Sequence, residues 1–233
     1  MTLFCQPMLS RDHVGLSVFS SIILFGWLIF QNPVVFIAIV SGVFIGSLLP
    51  DTDLPRSRID YLEGIAGFFG LISKTVLNPL VILIFNFLKY PVAQNHRGIT
   101  HTVYGVLTYC VVLEIISIPV FVFFGFSAFI IGYSVFVFGL FFGGILHIVE
   151  DSCTITGVFP FYPVNQTRKY SGNISTYNFN DTRPQIFTSF LIFAAGVVFF
   201  SQILWKNTLE FYILISCGVF VISWICIILI SRR

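Results

Sequence analysis

GIAGFFGLISKTVLNPLVILIFNFL, Gly64–Leu88, is the stretch on which the fold of this chain turns. It is apolar overall, yet Lys74, Asn78, Pro79 and Asn86 interrupt it. An Asn-Pro pair is expected to break or kink a helix, because proline has no N–H and its ring crowds the preceding turn. The segment therefore reads in three ways: a re-entrant hairpin, an interfacial helix, or a full membrane crossing. The choice sets the side of the membrane on which every later residue falls.

The solvent is clear from composition. Of 233 residues, 57% are hydrophobic and 9% charged, where soluble domains carry about 25% charged residues. So few charges cannot cover a water-facing surface, and lipid must solvate most of the chain. The 29 phenylalanines suit lipid-facing helices. A net charge of +2 gives no basis for a nucleic-acid partner. The five cysteines, Cys5, Cys110, Cys153, Cys217 and Cys226, are odd in number and irregularly spaced, so no disulfide framework is expected. The first apolar run lacks a small-residue cleavage site and reads as a retained helix.

Six further apolar runs surround Gly64–Leu88: Val14–Phe30, Pro33–Leu49, Ile99–Val120, Phe126–Leu146, Gln185–Leu204 and Phe211–Ile230. Each is near the roughly 20 residues that a helix needs to cross the hydrocarbon core. The expected fold is all-α: a polytopic membrane bundle of about six transmembrane helices, with a re-entrant or interfacial segment at 64–88. It forms one membrane domain over 1–233, with a C-terminal helix pair at 185–230.

If Gly64–Leu88 does not cross, Arg11, Arg56, Arg58, Lys89, Arg97, Arg168, Lys169, Arg183, Arg232 and Arg233 share one side. Only Lys206 falls opposite, and Lys74 lies within the segment. That bias places both termini in the cytoplasm. The same choice gathers His13, Asp51, Asp53, His96, His101, His147 and Asp151 at one membrane face. A crossing would split the basic residues and separate His13 and Asp51 from the later histidines. Two independent tallies thus favour the non-crossing form. The three Asn-X-Ser/Thr patterns at Asn165, Asn173 and Asn180 then read as ordinary loop residues.

Clustered ionisable groups in a membrane protein point to function. His147 and Asp151 stand four apart at a helix end, so both project from one face and can share a cation. Taken alone, the pair fits a helix-end hydrogen bond equally well. His96 and His101 are five apart, which one continuous helix would not align. Gly98 breaks the run, Thr100 is a suitable N-cap, and a turn followed by a helix start can aim both rings at one point. Arg97 reads either as a headgroup contact or as a clamp on a phosphate or carboxylate. Asp51 and Asp53 follow a helix ending at Pro50; turn residues are ordinary there, but one aspartate can ligate while the other orients or bridges. Glu150 adjoins Asp151 yet points about 100° away on a helix. Glu114, inside an apolar span, is expected to pair within the bundle. A His/Asp set suits zinc, with manganese second, better than calcium.

These blocks resemble the YdjM-like, LexA-regulated inner-membrane proteins, a family of metal-dependent hydrolases. The likeness rests on DHVGLS (12–17), LLPDTDLPRSRI (48–59), HRGITHT (96–102) and GGILHIVEDSCTITGVFPFYP (143–163), so the motif-bearing part is 12–163. It carries to His13, Asp51, Asp53, His96, Arg97, His101, His147, Asp151, Thr154 and Gly157. Leu54 stands where some members have histidine, and Glu150 replaces a small residue. More distantly, the H-x-x-x-D helix is similar to that of the all-helical zinc phosphoesterases of the phospholipase C type. The resemblance implies a hydrolase with two or three metals, ligated by His13, Asp51, His96, His101, His147 and Asp151. Asp53 would be bridging or second to the ligands, Arg97 would bind the anion, and Thr154 would hydrogen-bond near Asp151. A site at headgroup level suits a lipid or lipid-linked substrate. The alternatives are a metal- or proton-coupled transporter using Glu114, and a metal that only ties helix ends together.

Overall fold

The computed structural model describes residues 10–53, 64–90, 98–175, 181–205 and 208–232. Among them the architecture is all-helical: α1 Ser10–Phe25, α2 Leu28–Gln31, α3 Pro33–Gly46, α4 Gly64–Ile72, α5 Asn78–Phe87, α6 Val103–Phe123, α7 Ile130–Ser152, α8 Arg183–Trp205 and α9 Leu209–Ser231.

Among the described residues, five helical stretches are long and apolar enough to cross a membrane: Gly67–Phe87, Val103–Phe123, Ser127–Ser152, Arg183–Ile203 and Leu209–Ser231. The first two expected spans come out shorter. Val14–Phe30 is α1 plus a turn and the four-residue α2, and Pro33–Leu49 is the 14-residue α3. At 1.5 Å per residue α3 reaches about 21 Å, less than the roughly 30 Å hydrocarbon core. Its start is set locally, since Asn32 accepts from the Val35 N–H at 3.2 Å and Pro33 occupies the first turn.

Gly64–Leu88 does not break at Asn78-Pro79. The helix continues through a π-helical turn at Ser73–Leu77, and Pro79 falls in the first turn of α5, where its missing N–H costs least. The middle of this segment is tied to the α3 exit: Asn78 Nδ2 donates to Thr52 Oγ1 at 3.2 Å.

Two apolar clusters flank α7. One joins Leu16 and Ile23 of α1 to Leu191, Val198, Tyr212 and Trp224 of the C-terminal pair. The other joins Leu48, Leu49, Val81, Tyr109 and Leu140. α7 contributes Leu146 to the first and Leu140 to the second, so its end lies where the two meet. α3 lies directly on α7. A Cβ built on Gly42, Gly46, Gly139 or Gly143 would stand 2.1–2.3 Å from a backbone oxygen of the facing helix, so only glycine permits this approach. The loop after α7 folds over the same end. Val158 and Tyr170 exchange backbone hydrogen bonds at 2.9 Å, and the Val103 N–H donates to the Pro160 carbonyl at 2.9 Å. Gly157 turns this loop at φ +58°, a left-handed conformation that favours glycine.

Candidate metal centre

His13 lies in the first turn of α1, and Asp51 in a short 3-10 turn, Pro50–Asp53, just beyond α3. His101 closes a second such turn, Ile99–His101, while His147 and Asp151 sit in the last two turns of α7. The N-cap of α6 is Thr102, whose hydroxyl accepts from the Gly105 N–H at 2.9 Å. Thr100, the cap expected from sequence, instead places its Oγ1 3.3 Å from His101 Nδ1. The reason is the 3-10 turn, which shifts the helix start by two residues.

These five side chains converge. His101 Nε2 lies 3.5 Å from Asp51 Oδ1 and 3.7 Å from Asp151 Oδ2. His147 Nε2 lies 3.7 and 3.8 Å from the same two atoms. The His13 and His147 rings stack at 4.1 Å between centroids, and those of His101 and His147 meet edge to face at 5.4 Å. His13, His147 and Asp151 form one group able to hold a cation, and Asp51, His101 and His147 form another. For ligand bonds of 2.0–2.1 Å, a tetrahedral shell spaces its donors by roughly 3.4 Å. The observed spacings are within a few tenths of an ångström of that.

The ring orientations also fit a metal. The Ser47 carbonyl accepts from His147 Nδ1–H at 2.7 Å, leaving Nε2 as the lone-pair nitrogen. That Nε2 is fully buried and has no hydrogen-bond partner among the described residues. An orphaned polar atom so deep in a protein calls for a ligand. Fixing one imidazole nitrogen through an outer hydrogen bond is how metal-binding histidines are oriented. His13 repeats the device: its Nδ1 lies 2.5 Å from Glu150 Oε2.

Access is from the Asp51 side. Its side chain is 14% exposed, against 0–4% for His13, His101, His147 and Asp151. Burial pushes the Asp51 carboxyl up, but the His147, His101 and His13 imidazoles outweigh it and hold the group well below the usual carboxylate range. Thr154 is near Asp151 as expected, though its hydroxyl donates to the Asp151 main-chain carbonyl, at 2.7 Å. The Gly157 N–H donates to the same Oγ1 at 3.2 Å, anchoring the loop to the helix end. His96 and Arg97 lie outside the described residues, as does the Asp53 side chain.

Sequence reasoning missed Glu150, Ser17 and Ser47 as parts of this site. Glu150 does point away from Asp151, but toward α1 and not into lipid. Its one sequence signal is the spacing of three from His147, which puts both on neighbouring faces of one turn.

Fold and site together define a helical membrane protein with a buried histidine–carboxylate cluster at one end of its bundle. The YdjM inner membrane protein family model matches residues 8–232, and the chain belongs to that family. The match extends through α8 and α9, in which the sequence offered no recognised motif. Among curated proteins and among solved structures, nothing matches.

Proposed function

We propose that the chain is a membrane-embedded metal-dependent hydrolase, cleaving a phosphoester of a lipid or lipid-linked substrate at the cytoplasmic face. The observation that supports it is the convergence of three imidazoles and two carboxylates from distant chain positions, with the Nδ1 atoms of His13 and His147 engaged from outside. His13, Asp51, His101, His147 and Asp151 would hold the metal, joined by His96; the donor set suits zinc first and manganese second. When bound, a divalent metal polarises the phosphoryl group and lowers the pKa of water toward about 7.

The chain's own residues supply the rest. Asp51, at the open side and held ionised, faces the incoming substrate and completes the shell there. Arg97 is proposed to grip the anionic group as a planar fork, and Asp53 to orient or bridge. Thr154 holds the α7 end rigid against the covering loop, which keeps Asp151 in register. The cytoplasmic placement, with both termini on that side, rests on Gly64–Leu88 not crossing, in which case ten of the twelve basic residues share one side.

The near-complete burial of His101, His147 and Asp151 favours one second reading, a structural metal tying helix ends together. Transport has less support. Glu114, the acidic residue within an expected span, is met by the Ser134 hydroxyl at 3.4 Å.

The test is metal content of the chain purified in detergent, by mass spectrometry, beside His147→Ala. The expected result is about one or more ions per chain in the wild type, loss of them in the variant, and phosphoesterase turnover that requires them. A wild type free of metal, or a variant with unchanged content, ends the reading. Bound metal without turnover leaves the structural role.

A further inference from the structure

Glu150 is buried, and the function proposed above uses only its contact with His13, without assigning the carboxylate a role. Its two carboxylate oxygens are both engaged by α1: Oε2 lies 2.5 Å from His13 Nδ1, and Oε1 accepts from the Ser17 hydroxyl at 2.9 Å. His13 and Ser17 are one turn apart on α1, so one face of that helix presents both donors to one carboxylate. Glu150 and Ser17 are 2% and 0% exposed, so the hydrogen bonds form away from water, where a charged acceptor is strongest.

We infer that Glu150 is a positioning residue for His13. With Ser17 donating to the same carboxylate, Glu150 serves as the acceptor, so Nδ1 carries the hydrogen and Nε2 is the nitrogen left for the cation group that His13 shares with His147 and Asp151. Ser17 stops the carboxylate from rotating. The His147 ring, stacked at 4.1 Å, limits the remaining freedom of the imidazole. His147 gets its orientation from a neutral carbonyl, whereas His13 gets orientation and negative charge, and the charge makes it the stronger donor. This rests on the metal-binding reading above. The competing account is that Glu150 only fastens α7 to α1.

The experiment measures zinc affinity of the full chain in detergent by chelator competition. Loss of an outer-shell partner typically weakens a site by about 10- to 100-fold. Glu150→Ala is expected to show that loss, and Glu150→Gln a smaller one, since its amide oxygen still accepts from Nδ1 without the charge. Unchanged affinity in Glu150→Ala overturns the inference. So does a lower melting temperature of its metal-free form with affinity unchanged, the mark of a fastener. If Glu150→Ala does not fold, wild-type affinity in Glu150→Gln overturns the charge argument. A wild type that binds no zinc ends the metal reading itself. The positioning claim is then read in the metal-free, ¹⁵N-histidine-labelled chain. A far-downfield Nδ1–H proton of His13 is expected in the wild type and is absent from Glu150→Ala; its persistence there overturns the claim.

Discussion

The α3–α7 seam and the α8–α9 pair are both made of largely apolar helices and are built on opposite terms. In the seam, glycines bring backbone against backbone, and the atoms that a Cβ would meet are carbonyl oxygens that cannot move aside. In the C-terminal pair, Gly196 and Gly218 face open space, and packing is left to large side chains such as Leu191, Tyr212 and Trp224. The difference follows from what each region positions. Gly46 precedes Ser47, whose carbonyl orients His147, and Gly143 lies one turn before His147. A site needs its groups held to fractions of an ångström, which rigid close-packed elements provide. The C-terminal pair supports α1 from outside, where side chains can readjust.

That contrast can be broken by substitution. Gly46→Val or Gly143→Val should cost about 3 kcal/mol or more and leave no folded chain by size exclusion in detergent. Gly196→Val and Gly218→Val should stay within about 0.5 kcal/mol; equal damage at both places would erase the distinction. Leu191→Ala, which empties a fully buried site on α8, should cost about 2 kcal/mol while metal content per folded chain stays at the wild-type value. Smaller still is Trp224→Phe, which removes the 3.0 Å bond from Nε1 to Ser20 Oγ on α1. A loss of roughly 0.6–1 kcal/mol in melting experiments is expected.

The smallest effect concerns pH. Asp181 accepts from Arg183 through both oxygens, at 2.8 and 2.6 Å. The Arg183 hydrogen bonds bring its carboxyl down from 3.8 to about 2, against the opposing effect of burial. A lowered folded-state value means that the stabilisation is complete above about 4 and disappears as pH falls toward about 2. Solvent reaches Arg183, so the amount is at most about 1 kcal/mol. Asp181→Asn should flatten the stability profile across that acid range by lowering stability at neutral pH by at most about 1 kcal/mol, with no difference left below about pH 2.

Much of the candidate site was legible because membrane sequences punish misplaced charge. His13, Asp51, His101, His147 and Asp151 were gathered by asking which topology puts the ionisable groups together, and the structure does bring those five into one cluster. Spacing gave the His147–Asp151 pair directly. What stayed hidden were partners fixed by contact between distant segments. Glu150 and His13 are 137 positions apart, and a helical wheel gives a residue's bearing on its own helix but not what faces it. The Ser47 carbonyl is invisible for the same reason, since every residue has one. At Asn78-Pro79 the local rule foresaw an interruption. Its form, a π turn whose next residue reaches Thr52, depended on a hydrogen-bond partner supplied by another segment.

Composition and periodicity alone therefore determined that this chain is helical and that lipid surrounds it. Those properties follow from transfer of side chains and backbone out of water, and each residue carries its share of that cost wherever it lies. Tertiary structure alone decided which nitrogen of each ring turns inward, how closely α3 meets α7, and that Glu150 serves His13. Such features depend on directions and distances between segments, and hydrogen bonds and close packing are sensitive to both at the scale of tenths of an ångström.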